Sequence, residues 1–270
     1  MSALSNYLEN ALLDHLLKNT AYTPAGTLYF ALFTADPGES GVTGELTLGT
    51  GAYARAAVTN NNVNFPQCAA SGTPTKSNAT AITFPTATAA WGTVTHWAIY
   101  DDDGSPAGNM LAHGALSASR YVASGDTPKI AIGACSFTIS NATSGGLTEF
   151  AKRKLLDHVF GGPTYTPAGT VYLALGTSSS TDSISEWAES TYTRQATGFD
   201  SASSGVSVNS DEETFTTNVS DGTETLSVFG VFDDATSGNL LVYGPVSTSR
   251  TVNNGDTAKF PDSSFTVTFQ

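Results

Sequence analysis

The sequence repeats itself, and that constrains the fold more than any other feature. Leu12-Leu13-Asp14-His15 returns as Leu155-Leu156-Asp157-His158, and Tyr22-Thr23-Pro24-Ala25-Gly26-Thr27 returns as Tyr165-Thr166-Pro167-Ala168-Gly169-Thr170, both 143 residues further on. Tyr53-Ala54-Arg55 then matches Tyr192-Thr193-Arg194, and Ile99-Tyr100-Asp101-Asp102 matches Val231-Phe232-Asp233-Asp234. Gly108-Asn109-Met110-Leu111 matches Gly238-Asn239-Leu240-Leu241, Ser119-Arg120 matches Ser249-Arg250, and Gly125-Asp126-Thr127 matches Gly255-Asp256-Thr257, all at a spacing of 130. The order never changes while the spacing shrinks, so one module has been duplicated in tandem and its loops have since shortened. The small polar stretch Ser140-Asn141-Ala142-Thr143-Ser144-Gly145-Gly146 cannot build a core and reads as the linker, giving domains at 1–140 and 147–270.

A chain of 270 residues has room for two such cores. Only 13 % of the residues are charged while 40 % are apolar, so stability must come from β-type burial and short turns. The net charge of -13 and the pI of about 4.4 oppose nucleic acid or anionic membrane as partners. The first 20 residues carry Glu9, Asp14 and Lys18 and no cleavage-site pattern, so no secretory signal is expected. No apolar run reaches the roughly 18 residues a membrane helix needs, which leads to the expectation of a soluble protein made in the cytoplasm. Cys68 and Cys135 fit no metal-ligand spacing and read as small buried hydrophobes; a disulfide between them has no support.

Each module opens on a helical pattern. Leu4, Tyr7, Leu8, Ala11, Leu12 and His15 recur at three- and four-residue steps to about Lys18, placing an apolar stripe on one side. In the second copy Thr148 can cap the helix, Glu149 lies in its first turn, and Gly161-Gly162-Pro163 ends it. Tyr-Thr-Pro-Ala-Gly then reads as a turn leading into the buried strand Thr27 to Phe33, with its twin at Thr170 to Leu175. Further short strands are expected at Ala81 to Phe84, Thr93 to Tyr100, Met110 to Ala115 and Phe137 to Ser140. The fold class is therefore mainly β with one N-terminal α-helix per module, as two tandem antiparallel β-sandwich-like domains.

Motifs for chemistry are scarce. His15 follows Asp14 and His158 follows Asp157, but neighbours on a helix point in different directions, so a proton relay is not expected and each imidazole reads as a half-buried helix residue. His96 and His113 align with Val228 and Tyr243 and read as packing. Asp101-Asp102-Asp103-Gly104 lacks the rest of a calcium loop and reads as a solvated hairpin. With no nucleophile, metal or phosphate motif, the expectation is no enzyme, no cofactor and no metal. Two sets of residues are singled out for binding. Lys152, Arg153 and Lys154 form the densest basic run and are candidates for docking an acidic neighbour. Trp91 and Trp97, with Tyr53 and Tyr121, are candidate surface aromatics for stacking on sugars.

Leu4 to His15, Thr20-Ala21-Tyr22-Thr23, Leu32-Phe33-Thr34-Ala35-Asp36-Pro37, Ile82-Thr83-Phe84-Pro85 and Ala89 to His96 together resemble a family of modules from tailed-bacteriophage virions, often labelled tail-fibre-like or virion proteins. The second copy has diverged, with Leu175-Gly176-Thr177 lacking the Asp-Pro turn and Gly222-Thr223-Glu224-Thr225 replacing Trp91 to Val94. The resemblance implies a non-enzymatic role in the virion. The chain has neither heptads nor a long β-helical repeat from which to build a shaft. The first expectation is thus an accessory or decoration (cement) protein on the capsid or another particle lattice. Its partners would be capsid or tail subunits, with a homo-oligomer open. The alternative is a tail- or fibre-associated receptor- or glycan-binding module.

Overall fold

The computed structural model describes residues 3–41, 43–104, 108–140, 145–188, 192–216, 223–253 and 256–269. Residues 141–144 of the linker, Gly222, and Gly255 of the second Gly-Asp-Thr motif lie outside them. In chain order, the first repeat contains β1 (Ala3–Leu4), α1 (Asn6–Lys18), β2 (Thr27–Phe33), β3 (Ala56–Thr59), β4 (Thr75–Ser77), β5 (Ile82–Thr83), β6 (Gly92–Tyr100), β7 (Met110–Val122), β8 (Lys129–Ile130) and β9 (Ser136–Thr138). The second contains β10 (Gly146–Leu147), α2 (Glu149–Val159), β11 (Val171–Ser180), β12 (Ser183–Glu186), β13 (Gln195–Thr197), β14 (Val206–Val208), β15 (Glu213–Thr216), β16 (Glu224–Phe232), β17 (Leu240–Val252), β18 (Thr257–Phe260) and β19 (Thr266–Thr268).

The first repeat forms an antiparallel sheet in the order β1-β7-β6-β2-β3, with two short ribbons, β4-β9 and β5-β8. The second repeats this plan: β10-β17-β16-β11-β12, with β13 also on β11, and the ribbons β14-β19 and β15-β18. The chain is mainly β, with several antiparallel sheets and a helix opening each repeat. Aromatic pairs link sheet to ribbon in each copy, Trp97 of β6 to Phe137 of β9 and Phe229 of β16 to Phe265 before β19. Duplication extends to irregularities. The β6–β7 ladder slips between Val94 and His96 and between Ile99 and Tyr100; the β16–β17 ladder slips between Leu226 and Val228 and between Val231 and Phe232.

The compact units do not follow the repeat boundaries. One comprises Met1–Glu9, Thr23–Ile139 and Leu155–Tyr165; the other comprises Asn10–Tyr22, Ser140–Lys154 and Thr166–Gln270. Each helix thus contributes its first part to the unit of its own repeat and its remainder to the other unit. This explains a burial pattern broader than the stripe expected for α1: Leu8, Leu12, Leu13 and Leu16 are fully buried, whereas Tyr7 of the expected stripe is 42 % exposed. Ser5 caps α1 by accepting from Leu8 N at 3.2 Å, and Thr148 caps α2 by accepting from Ala151 N at 3.2 Å. Gly161 ends the second helical segment at φ +73, and a Cβ there would collide with the carbonyls of Asn61 and Phe65.

Candidate functional site

The basic run does not form one surface. Lys152 is buried, 3.8 Å from Glu149 Oε1, and desolvation lowers its ammonium below the usual lysine range. Arg153 is half-buried and Lys154 is exposed, its Nζ 5.5 Å from the centre of the Phe150 ring. Consecutive helix residues point about 100° apart, so three adjacent charges cannot share a face.

The two tryptophans are not surface aromatics. Trp91 donates from Nε1 to Gly51 O at 2.8 Å and meets Tyr53 edge-on at 5.2 Å. Trp97 is 2 % exposed, against Phe137. Tyr53 is buried as well, its hydroxyl accepting from Leu32 N at 2.9 Å. Trp97 lies on the covered face of β6, which the size of its apolar surface favours over a display role. Tyr121 alone of the four is exposed, at 65 %.

Tyr121 borders a groove of about 450 Å³ in the first unit, with Phe84, Val94 and Ile130 among its apolar lining and Arg120, Asp126 and Lys129 among its polar lining. The second unit carries a groove of about 440 Å³ at the matching place, lined by Arg250, Thr251, Asp256 and Lys259. Both are lined by the Asp-Thr pair of their repeat's Gly-Asp-Thr motif. In each, the aspartate accepts from the backbone three residues earlier, Asp126 from Ala123 N and Asp256 from Asn253 N. Thr251 replaces Tyr121 in the second copy, so the groove has kept its charges and lost its ring.

The remaining polar clusters serve architecture. Arg55 binds Glu45 through two parallel hydrogen bonds of 2.9 and 2.8 Å and lies 3.6 Å above the Tyr100 ring; Arg194 does the same with Glu186, at 3.0 and 2.9 Å, 3.4 Å above Phe232. The sequence pairs Arg55 with Arg194, but their glutamates are hidden because the intervening loops differ in length. Buried Asn78 and Asn209 are likewise twins with no shared neighbours in sequence. Each side-chain oxygen accepts a loop N–H, from Cys135 and Phe265, and each amide donates to two carbonyls. Asp101 and Asp233 each grip an asparagine across their hairpin, Asn109 and Asn239.

The helix histidines follow the same rule and are more deeply buried than half. His15 Nδ1 accepts from Tyr22 N at 3.3 Å and His158 Nδ1 from Tyr165 N at 3.1 Å, while Asp14 and Asp157 reach other partners. Cys68 and Cys135 are both buried thiols, and burial pushes the Cys135 thiol far up. Among the described residues, no group of three or more His, Cys, Asp or Glu side chains is placed to hold a metal ion. Among them, too, no helix is long and apolar enough to cross a membrane.

The repeated scaffold and its repeated clamps belong to a known type. The family model described as podophage GP4 fiber I protein gp80 matches residues 3–138 and 146–268. The chain belongs to this family. It is a bacteriophage virion structural protein built as a tandem pair of one module, and each matched segment spans one set of clamps. No curated protein matches the chain.

Proposed function

We propose that the chain is a non-enzymatic component of a podophage tail fibre or of the fibre's attachment to the particle. The observation that carries this reading is the match of a family described by the word fiber to both repeats. The placement of the polar clusters supports it too: carboxylates, guanidinia and amides are spent on turns and strand clamps, which favours rigidity over chemistry. Decoration of the capsid is the reading that composition and compact modules favour. It draws on neither the family's description nor a surface of the molecule, and so gives way to the fibre reading. Mass spectrometry of separated heads and tails tests the choice. Recovery with tails in a small number of copies is expected; recovery with heads in hundreds of copies would sink the fibre reading.

Recognition of a host glycan by the first repeat is the second reading, and Tyr121 favours it. An exposed aromatic ring bordering a groove with Arg120, Asp126 and Lys129 offers a sugar both a stacking face and hydrogen-bonding groups. Saturable binding of purified protein to host cells, lost in Tyr121→Ala, is the expected result. Equal binding by both proteins would dismiss it.

A further inference from the structure

The second half of each helix is held by loops and ribbons of the other repeat, and in both cases the repeated aspartate, Asp14 or Asp157, accepts from a loop amide there. In the first unit, Asp157 accepts from Cys68 N at 2.8 Å and pairs with Lys76 Nζ at 2.7 Å, while Val159 O accepts from Asn60 Nδ2 at 2.8 Å. Phe160 meets Phe137 edge-on at 4.6 Å and Phe65 at 6.3 Å. Gly161 then passes so close to Asn61 and Phe65 that only a glycine fits. In the second unit, Asp14, the counterpart of Asp157, accepts from Ala202 N at 2.8 Å. Asn10 accepts there from Gly205 N at 2.9 Å, and Lys18 Nζ donates to Ser201 Oγ at 2.6 Å.

We propose that the module is an obligate pair-former: the surface built by each repeat's loops and ribbons is a receptor for the helix of a second copy, and this chain is such a swapped pair made continuous by duplication. Lys76, Phe65 and Phe160 are completely buried, and Phe137 nearly so. A repeat without the incoming segment would leave the Lys76 ammonium without its carboxylate and uncover Phe65 and Phe137, costs that charge burial and apolar exposure both make large. Exchange of an identical element is a low-cost route to pairing, and covalent linkage of the two copies raises their effective concentration. The partner that fits either receptor is therefore the helix of another such module.

The test uses the full chain with a protease site introduced within residues 141–144 and cut after folding. Size exclusion and native mass spectrometry are expected to show the two fragments still together. Asp157→Ala in the cut chain should raise the fragment dissociation constant at least about tenfold, and Asp157→Asn, which keeps an oxygen for Cys68 N, should raise it less. Lys154→Ala, an exposed change on the same helix, should leave it unaltered. Separation of the cut parental chain into two folded halves would overturn the proposal. So would equal dissociation constants for Asp157→Ala and Lys154→Ala.

Discussion

Asp157 Oδ1 lies 2.7 Å from Lys76 Nζ, and the lysine is fully buried. The ammonium also donates to Pro66 O at 2.7 Å. Removing the carboxylate strands a charge that water cannot reach. Asp157→Ala should cost about 3–5 kcal/mol, and adding Lys76→Met should restore part of that loss. Denaturant unfolding of the two single variants and the double variant measures the coupling; strictly additive losses would show that the pair acts as two independent groups.

The arginine clamps combine a bidentate ion pair with a stacked ring. Arg55→Lys and Arg194→Lys keep the charge but lose the fork and the flat face, and each should cost about 1–3 kcal/mol. Lower melting temperatures in both variants are expected. Unchanged melting would mean that a point charge suffices at these positions.

Burial, with the Glu39 carboxylate nearby, raises Glu9 to about 7 from 4.5. Because the folded value exceeds the unfolded one, this group's contribution is complete below about pH 4.5 and is lost as pH rises through about 7. The melting temperature should therefore fall by a few degrees between about pH 5 and about pH 8. Glu9→Gln should reduce that slope and stabilise the protein at the alkaline end; an unaltered slope would exclude Glu9 as its source.

Reversing the charges of the basic run should separate its members. Lys152→Glu puts a carboxylate into a buried place facing Glu149 and Asp182 and should destabilise the fold by more than about 2 kcal/mol. Lys154→Glu should stay within about 0.5 kcal/mol. Thermal melts of the two variants decide the matter, and equal melting would contradict the burial of Lys152.

Core and surface aromatics should separate as well. Trp97→Ala should cost about 3–5 kcal/mol by opening a cavity, whereas Tyr121→Ala should leave stability within about 0.5 kcal/mol. A Trp97→Ala protein that melted like the parent would restore that ring to the surface.

Helices, turns and the first strand were legible because their signals are local. Thr148 caps α2, Gly161 follows its last turn, and Thr27–Phe33 is a strand as its apolar run predicts. The far half of β7 was not, because residues 116–121 are mostly exposed and carry no apolar alternation; only Arg120 and Tyr121 among them pair with β6, across from Val94 and Thr93. The binding candidates misled for a related reason. Adjacent lysines and single tryptophans are visible in a sequence, but the face they take depends on which strands and ribbons cover that element. Asp14 and Asp157 stood out as repeated residues, yet their partners lie far off in the chain, where no short-range pattern could point to them.

The main sheets of both repeats carry at one margin a strand of two residues, β1 in one and β10 in the other. Each covers only two residues of the 13-residue strand beside it, so the short strand itself offers an incoming chain only a few free amides and carbonyls, too few to template a ladder. Growth by adding strand to strand is thereby discouraged at those two short strands. In a virion, where many proteins are packed at high local concentration, ends of that kind lower the risk of the aggregation to which open β-sheets are prone.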